Sequence, residues 1–179
     1  MVKLRMAHQF TLRTLSVADI QTLKRLGEKT FFDTFVGTCS DKDMQRYLER
    51  NFNVAQLESE LNHPGMLFYG AESRGELIGY MKLNFAEAQT ELQDPSAVEI
   101  QRIYVLDSHH GTGVGQALYR QALTVAEQRQ ADYIWLGVWE HNHKAQRFYA
   151  KNGFVVFDQH VFMMGDEAQT DIMMKKILK

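Results

Sequence analysis

Glu99-Ile100-Gln101-Arg102-Ile103-Tyr104-Val105-Leu106-Asp107-Ser108-His109-His110-Gly111-Thr112-Gly113-Val114-Gly115-Gln116 reads as an apolar strand, Val98 to Leu106, that runs into a glycine turn and opens an amphipathic helix. Glycines let backbone N–H groups turn outward with no Cβ in the way, and the first helical turn adds unpaired donors and the positive end of its dipole. The order suits an anion, and most simply a phosphorylated ligand. Three glycines between a strand and a helix also make a plain tight connection, so other residues must decide. A dinucleotide fingerprint counted from Gly111 needs glycine where Gln116 stands, and counted from Gly113 it needs glycine at Leu118. A P-loop counted from Gly111 needs Gly-Lys-Ser/Thr where Gln116-Ala117-Leu118 stands. Both patterns fail, leaving a shorter Gly-x-Gly-x-Gly turn that brings main-chain donors to a pyrophosphate.

Outward from this turn, Phe10 to Leu15 alternates as a half-buried strand, and Ser16 with Asp19 forms a capping-box start for a helix to about Thr34. Ser40 with Asp43 starts a second helix to about Asn51, and a third runs from Asn53 to Asn62, before Pro64. Met66 to Ala71 and Leu77 to Phe85 flank the turn Ser73-Arg74-Gly75-Glu76 as a hairpin. After the helix that ends near Gln130, Tyr133 to Val138 is a buried strand. Asn142 then caps a helix ending at Asn152-Gly153, and Phe154 to Phe162 with Asp171 to Leu178 close the chain as an antiparallel pair. The resulting order is β, three helices, βββ, α, β, α, ββ: a mixed sheet with helices on both faces. Right-handed crossovers bring the segments at Gly111 and Asn142 to one edge and into one cleft.

The 179 residues are the size of one domain, 1–179, with no linker or repeat. A net charge of −2 with scattered Lys and Arg gives no footprint for nucleic acid. Cys39 is the sole cysteine, so an internal disulfide is impossible and a reducing compartment is expected. Met1 to His8 lacks the apolar core of a signal peptide, and no run reaches about 18 apolar residues. A cytoplasmic chain, with no membrane partner, is the expectation.

In Trp139-Glu140-His141-Asn142-His143-Lys144-Ala145-Gln146-Arg147-Phe148-Tyr149-Ala150-Lys151-Asn152-Gly153-Phe154, Asn142 and Tyr149 stand two helical turns apart on one face, while Lys151 points the opposite way. A cap side chain and a phenol share a wall. Together with the glycine turn this segment resembles the GCN5-related N-acetyltransferase (GNAT) superfamily. There, a Q/R-x-x-G-x-G/A loop between strand and helix binds the pyrophosphate of acetyl-CoA, and an N-x-x-A-x-x-F/L-Y-x-x-x-G-F segment lies near the thiol. The first appears here as His110-Gly111-Thr112-Gly113-Val114-Gly115, with histidine where Gln or Arg is usual. The second matches at Asn142, Ala145, Phe148, Tyr149, Gly153 and Phe154. The whole chain is similar to the PaiA-type bacterial polyamine N-acetyltransferases within that superfamily. Thr30 to Phe35, Asp43-Met44, Tyr47-Leu48, Glu99 to Tyr104, Trp135 to Glu140, Met164-Gly165-Asp166-Glu167 and Gln169-Thr170-Asp171 carry that likeness.

The resemblance implies an α/β GNAT fold: a mixed, mostly antiparallel twisted sheet of about seven strands, helices on both faces, and a splayed central strand pair that binds acetyl-CoA. It implies a donor site made by Ile103, Tyr104 and Val105, by the loop His110, Gly111, Thr112, Gly113, Val114, Gly115 and Gln116, and by Asn142. It also implies acetyl transfer to a primary amine of spermidine or spermine. Another amine (an aminoglycoside, an amino acid or a protein N-terminus) and a catalytically silent acyl-CoA-binding module are the alternatives. A homodimer is compatible with either.

Transfer from a thioester to an ammonium of pKa near 10 needs a base, an oxyanion donor and an acid for the leaving thiolate. Tyr149 is assigned the acid and the Val105 N–H the oxyanion, both from the resemblance. Glu99 projects with Gln101 to one strand face and is the first candidate base; Glu140 and a bound water compete with it. Adjacent His109 and His110 lack a third ligand at a recognisable spacing, so no metal is expected, though His110 is placed to help hold a phosphate. Asp33, near Glu28, is a candidate contact for a cationic substrate, against the alternative of a solvated helix face paired through Lys24, Arg25 and Lys29. Phe31, Phe32 and Phe35 read as core, one of them bordering the cleft.

Overall fold

The structure, a computed structural model, describes residues 10–164 and 167–179. The readings of Met1 to His8 and of Gly165-Asp166 lie outside the described residues. Seven strands form one sheet: β1 (Thr11–Thr14), β2 (Met66–Ser73), β3 (Glu76–Phe85), β4 (Ala97–Val105), β5 (Tyr133–Trp139), β6 (Val155–Met164) and β7 (Glu167–Ile177). Their spatial order is β1-β2-β3-β4-β5-β7-β6. The helices are α1 (Ile20–Phe35), α2 (Asp41–Asn51), α3 (Val54–Asn62), α4 (Val114–Gln128) and α5 (His143–Lys151). Among the described residues β4 and β5 are the parallel pair, and every other pairing is antiparallel. No helix among the described residues is long and apolar enough to cross a membrane.

The local signals act where they stand in sequence. Ser40 Oγ accepts from Asp43 N at 3.1 Å, Asn53 Oδ1 from Gln56 N at 2.8 Å and Asn142 Oδ1 from Ala145 N at 3.1 Å, each satisfying a donor that a helix start leaves open. The Ser16–Asp19 capping box starts a short 3-10 turn, Val17–Asp19, which leads into α1. Arg74 and Gly75 both take positive φ, the conformation of a tight two-residue hairpin turn.

Two layers of helix cover the sheet. On one face Val114, Leu118 and Ala122 of α4 are fully buried in a cluster with Met81, Leu83 and Ile100. On the other, Leu23, Leu26 and Phe31 of α1 join Phe52, Leu57, Phe68 and Tyr80. A fully buried large aliphatic side chain contributes about 1.5–3 kcal/mol, so both helix layers are held by apolar contact. Within the second layer Glu60 of α3 receives Lys82 Nζ at 2.9 Å and Arg102 Nη1 at 2.9 Å, all three buried.

Two irregularities in β4 shape everything below. Its pairing with β5 covers three positions, Ala97–Tyr133, Val98–Ile134 and Glu99–Trp135, after which the strands part. On the β3 side Lys82 faces Arg102 while Leu83 faces Ile100, so Gln101 is the extra residue of a bulge. One inserted residue shifts the alternation, so Glu99 joins Arg102 and Tyr104 opposite Asn84, Lys82 and Tyr80, and Gln101 borders the same cavity as Glu99, as expected of the two.

Candidate active site

Where β4 leaves β5, its main chain is open. Leu106 N–H donates to Ile78 O at 2.9 Å, which makes Gly79–Val105 and Met81–Ile103 pairs of the non-hydrogen-bonded kind. The N–H and C=O groups of Ile103 and Val105 therefore point away from β3 and into the split. Gly79 is required for this closeness: a Cβ there would stand 2.9 Å from Tyr104 O and 3.2 Å from side-chain carbons of Val105 and Val114.

The glycine turn lies at the end of the split. Gly111 and Gly113 hold φ of +75° and +93°, in the region that favours glycine. The first main-chain bond of α4 runs from Ala117 N to Gly113 O at 2.9 Å, so among the described residues the N–H groups of Gly111, Gly113, Val114, Gly115 and Gln116 have no main-chain acceptor. These open N–H groups make the cradle in which an anion could be held. Thr112 departs from the expectation, because its N–H and hydroxyl both turn inward to His109 O, the hydroxyl at 2.6 Å. The Val114 side chain is fully buried, so that residue offers its main chain alone. Gln116 borders the cavity and donates to Asn152 Oδ1 at 3.1 Å.

His110 also borders the cavity at this turn. Its ring lies 2.9 Å from Val105 O through Nε2 and 3.0 Å from Lys144 Nζ through Nδ1. A carbonyl can only accept, so Nε2–H donates to Val105 O, while Nδ1 lies between Lys144 Nζ and Asp107 Oδ1, the latter 3.2 Å away. The cation presented to the cradle is Lys144 of α5, which the sequence reading missed.

A cavity of about 460 Å³ follows the cradle and is bordered by Gly111, Gly113, Gly115 and Asn142, the shared cleft expected of those two segments. A second, of about 320 Å³, lies between α1, α2 and the parted strands. Thr34, Ile103, Tyr104, Asn142, Ala145 and Tyr149 border both, so Tyr149 stands at the junction. The phenol packs near Phe148 and Phe154, with ring centroids 5.3 and 5.5 Å away, and burial holds its pKa above the usual tyrosine value. It thus keeps its proton until strong negative charge develops nearby.

The second cavity has aromatic walls. Phe35 lies 5.3 Å from Trp139 and 6.4 Å from Phe162, and Phe31 stacks on Tyr47 at 4.3 Å. Phe31 and Phe35 are buried and border the cavity, whereas Phe32 is exposed, contrary to the expectation of core. Trp139 is fixed by Gln169, which accepts from its indole at 2.7 Å and donates to Thr38 O at 3.3 Å.

Three carboxylates reach this cavity: Glu91, Glu99 and Asp171. Glu99 is 2% exposed and accepts from Asn84 Nδ2 at 2.9 Å, from Thr90 N at 2.9 Å and from the Thr90 hydroxyl. Burial raises its pKa against the pull of those bonds. Asp171 has no donor among the described residues, and its pKa is pushed up to about 6, first by burial and then by Glu91, with His160 opposing. The acceptor Gln101 Oε1 and the ring nitrogen His160 Nδ1 are buried without a partner. Asp33 lies on the other side, beside the 460 Å³ cavity and paired with Lys29 at 2.8 Å, and Glu28 pairs with Lys24. Those pairs are the solvated i to i+4 alternative. Glu140 borders neither cavity.

The profile of the Acetyltransferase (GNAT) family matches residues 28–154, which span the split strands, the cradle and α5. The chain belongs to the GNAT acetyltransferase family. An uncharacterized N-acetyltransferase of Lactobacillus delbrueckii subsp. lactis is 40% identical over 164 residues, covering 92% of this chain and 95% of that protein. A spermidine N(1)-acetyltransferase of Thermoplasma acidophilum is 24% identical over 151 residues, covering 82% and 89%. The crystal structure of PaiA N-acetyltransferase from Thermoplasma acidophilum in complex with coenzyme A superposes with a TM-score of 0.79 at 23% identity, over 95% of this chain and 99% of that one.

This GNAT protein is an acetyl-CoA-dependent N-acetyltransferase with the mixed α/β fold of its family. Its residues fit that donor: the open N–H and C=O of Ile103 and the N–H of Val105 for an amide-bearing arm, and the N–H cradle with Lys144 for a pyrophosphate. Asp171, His160 and Glu91 escaped the sequence reading as site residues. They lie far apart in sequence on β7, on β6 and in the loop before β4, and no local spacing signals their meeting.

Proposed function

We propose that the acceptor is a primary amine of a polyamine such as spermidine or spermine, received in the 320 Å³ cavity. The observation that carries this reading is the set of unpaired acceptors there. The Asp171 carboxylate and Gln101 Oε1 await donors, and an ammonium has three. The aromatic rings of Phe35, Trp139 and Phe162 add faces that attract a cation and pack against methylenes. The named activity of the Thermoplasma relative supports the same substrate class.

In this reading the donor lies along β4 with its pyrophosphate in the cradle, and supplies an activated acetyl group at the junction of the two cavities. The Val105 N–H receives the oxyanion that forms there, and Tyr149 gives its proton to the leaving sulfur. Glu99 supports the wall through Asn84 and Thr90. The test is release of free thiol with a panel of amines. Spermidine and spermine are expected to give the highest kcat/KM. No turnover above background with either, alongside good turnover of an aminoglycoside or an α-amino group, overturns the polyamine reading and leaves the acetyltransferase intact.

A further inference from the structure

The deprotonation of the acceptor has three carboxylate candidates in the cavity wall, and their surroundings separate them. Glu99 is committed to Asn84 and Thr90 through both oxygens. Glu91 is 40% exposed and faces His160 Nε2 at 3.6 Å. Asp171 stands opposite Trp139 on β5 and His160 on β6 in the sheet register. Its carboxylate occupies a notch made by Gly137, where a Cβ would come within 3.0 Å of Oδ2. We propose that Asp171 is the base that takes the proton of the acceptor ammonium, and that Glu99 is structural. The assignment rests on the amine-acceptor reading of this cavity.

In this step one N–H bond of the ammonium breaks, its electron pair stays on nitrogen as the nucleophile, and an O–H bond forms on Asp171. The proton then passes to water, matching the one proton that acetylation of an ammonium releases. The groups around Asp171 are consistent with a base. His160 comes from β6, Glu91 from the loop before β4, Tyr47 from α2 and Tyr104 from β4, while β5 offers Gly137 and Trp139 and α1 offers Phe35. Burial and Glu91 raise the carboxyl to about 6 despite His160, which leaves it ionised at neutral pH and more basic than an ordinary aspartate.

The experiment compares wild type and Asp171→Asn on two acceptors at pH 9: a polyamine with amine pKa about 10, and an amino-acid amide with α-amino pKa about 8, largely neutral there. The expected loss of kcat/KM is about 100-fold on the polyamine and about fivefold or less on the amide, since a neutral amine needs no base. In wild type the polyamine kcat/KM should also fall below pH about 6, and Asp171→Asn should lack that limb. Gly137→Ala, which closes the notch, is expected to show a smaller loss with the same preference for the low-pKa amine. Glu99→Gln should keep the acid limb. Equal losses on both amines, a loss confined to KM, or an unchanged acid limb in Asp171→Asn overturns the assignment. Failure of the polyamine reading shows separately, in the ranking of amines by wild type alone.

Discussion

Replacing Glu60 by Gln tests the buried ion trio whose Arg102 borders the 320 Å³ cavity. Glu60 is 5% exposed and is the shared partner of Lys82, at 2.9 Å, and Arg102, at 2.9 and 3.4 Å. Glutamine retains the shape and removes the charge, leaving two buried cations facing one another. Breaking a buried pair by removing one partner costs about 3–5 kcal/mol, because the charge left behind stays desolvated. For a chain of this size each kcal/mol moves Tm by about 2–4 °C, so Glu60→Gln should lower Tm by about 6–20 °C. Lys82→Met is the control: it leaves the Glu60–Arg102 pair whole and should change stability at pH 7 by less than about 1.5 kcal/mol. Burial and the neighbouring Arg102 lower Lys82 to about 8. Between pH 8 and the unfolded value near 10.4 the unfolded chain holds the extra proton, so wild-type stability should rise with pH across that window, by up to ~3 kcal/mol relative to Lys82→Met. Thermal and urea unfolding at pH 7, and urea unfolding from pH 7 to 10.5, read these numbers. A Glu60→Gln loss under 1 kcal/mol would refute the reasoning, as would a Lys82→Met loss equal to it.

Tyr149→Phe should lower kcat by about 10²–10³ with KM for acetyl-CoA changed less than about twofold, measured by steady-state thiol release; an unchanged kcat removes the phenol from the chemistry. Lys144→Met should raise KM for acetyl-CoA by about 3–10-fold at low salt, with the difference shrinking at 0.5 M salt as screening replaces the lost charge. Gly113→Ala, at φ +93°, should cost about 1–2 kcal/mol of backbone strain in a melt and weaken calorimetric binding of coenzyme A, because the N–H groups of the cradle rotate with the backbone. Gly79→Ala should raise KM for acetyl-CoA, since its Cβ would stand 2.9 Å from Tyr104 O and push β4 where its main chain meets the donor.

Residues that act on near neighbours were legible in the sequence. Ser40, Asn53 and Asn142 announce helix starts because their side chains bond a donor two or three residues on. The cradle was legible for the same reason, since Gly111 and Gly113 set the direction of adjacent N–H groups. Spacing alone also placed Asn142 and Tyr149 on one wall, where both cavities find them.

Other features exist only once strands are paired. The bulge at Gln101 depends on β3, and it sends Glu99 and Ile103 to opposite faces despite their even spacing. The neighbours of the His110 ring, Val105 O and Lys144, are brought beside it only by the fold. Asp33 reads as a cation site until the sheet leaves α1 with that edge toward the donor cavity. Asp171 is an unremarkable strand carboxylate until β7 inserts between β5 and β6 and lays it over Gly137, between Trp139 and His160. The sequence by itself determined the family, the open N–H groups of the glycine turn and the place of Tyr149 beside Asn142, because each rests on residues close together in the chain. Tertiary structure decided the 320 Å³ cavity and the raised pKa of Glu99 and Asp171 in its wall, because desolvation and long-range charge are properties of the packed chain.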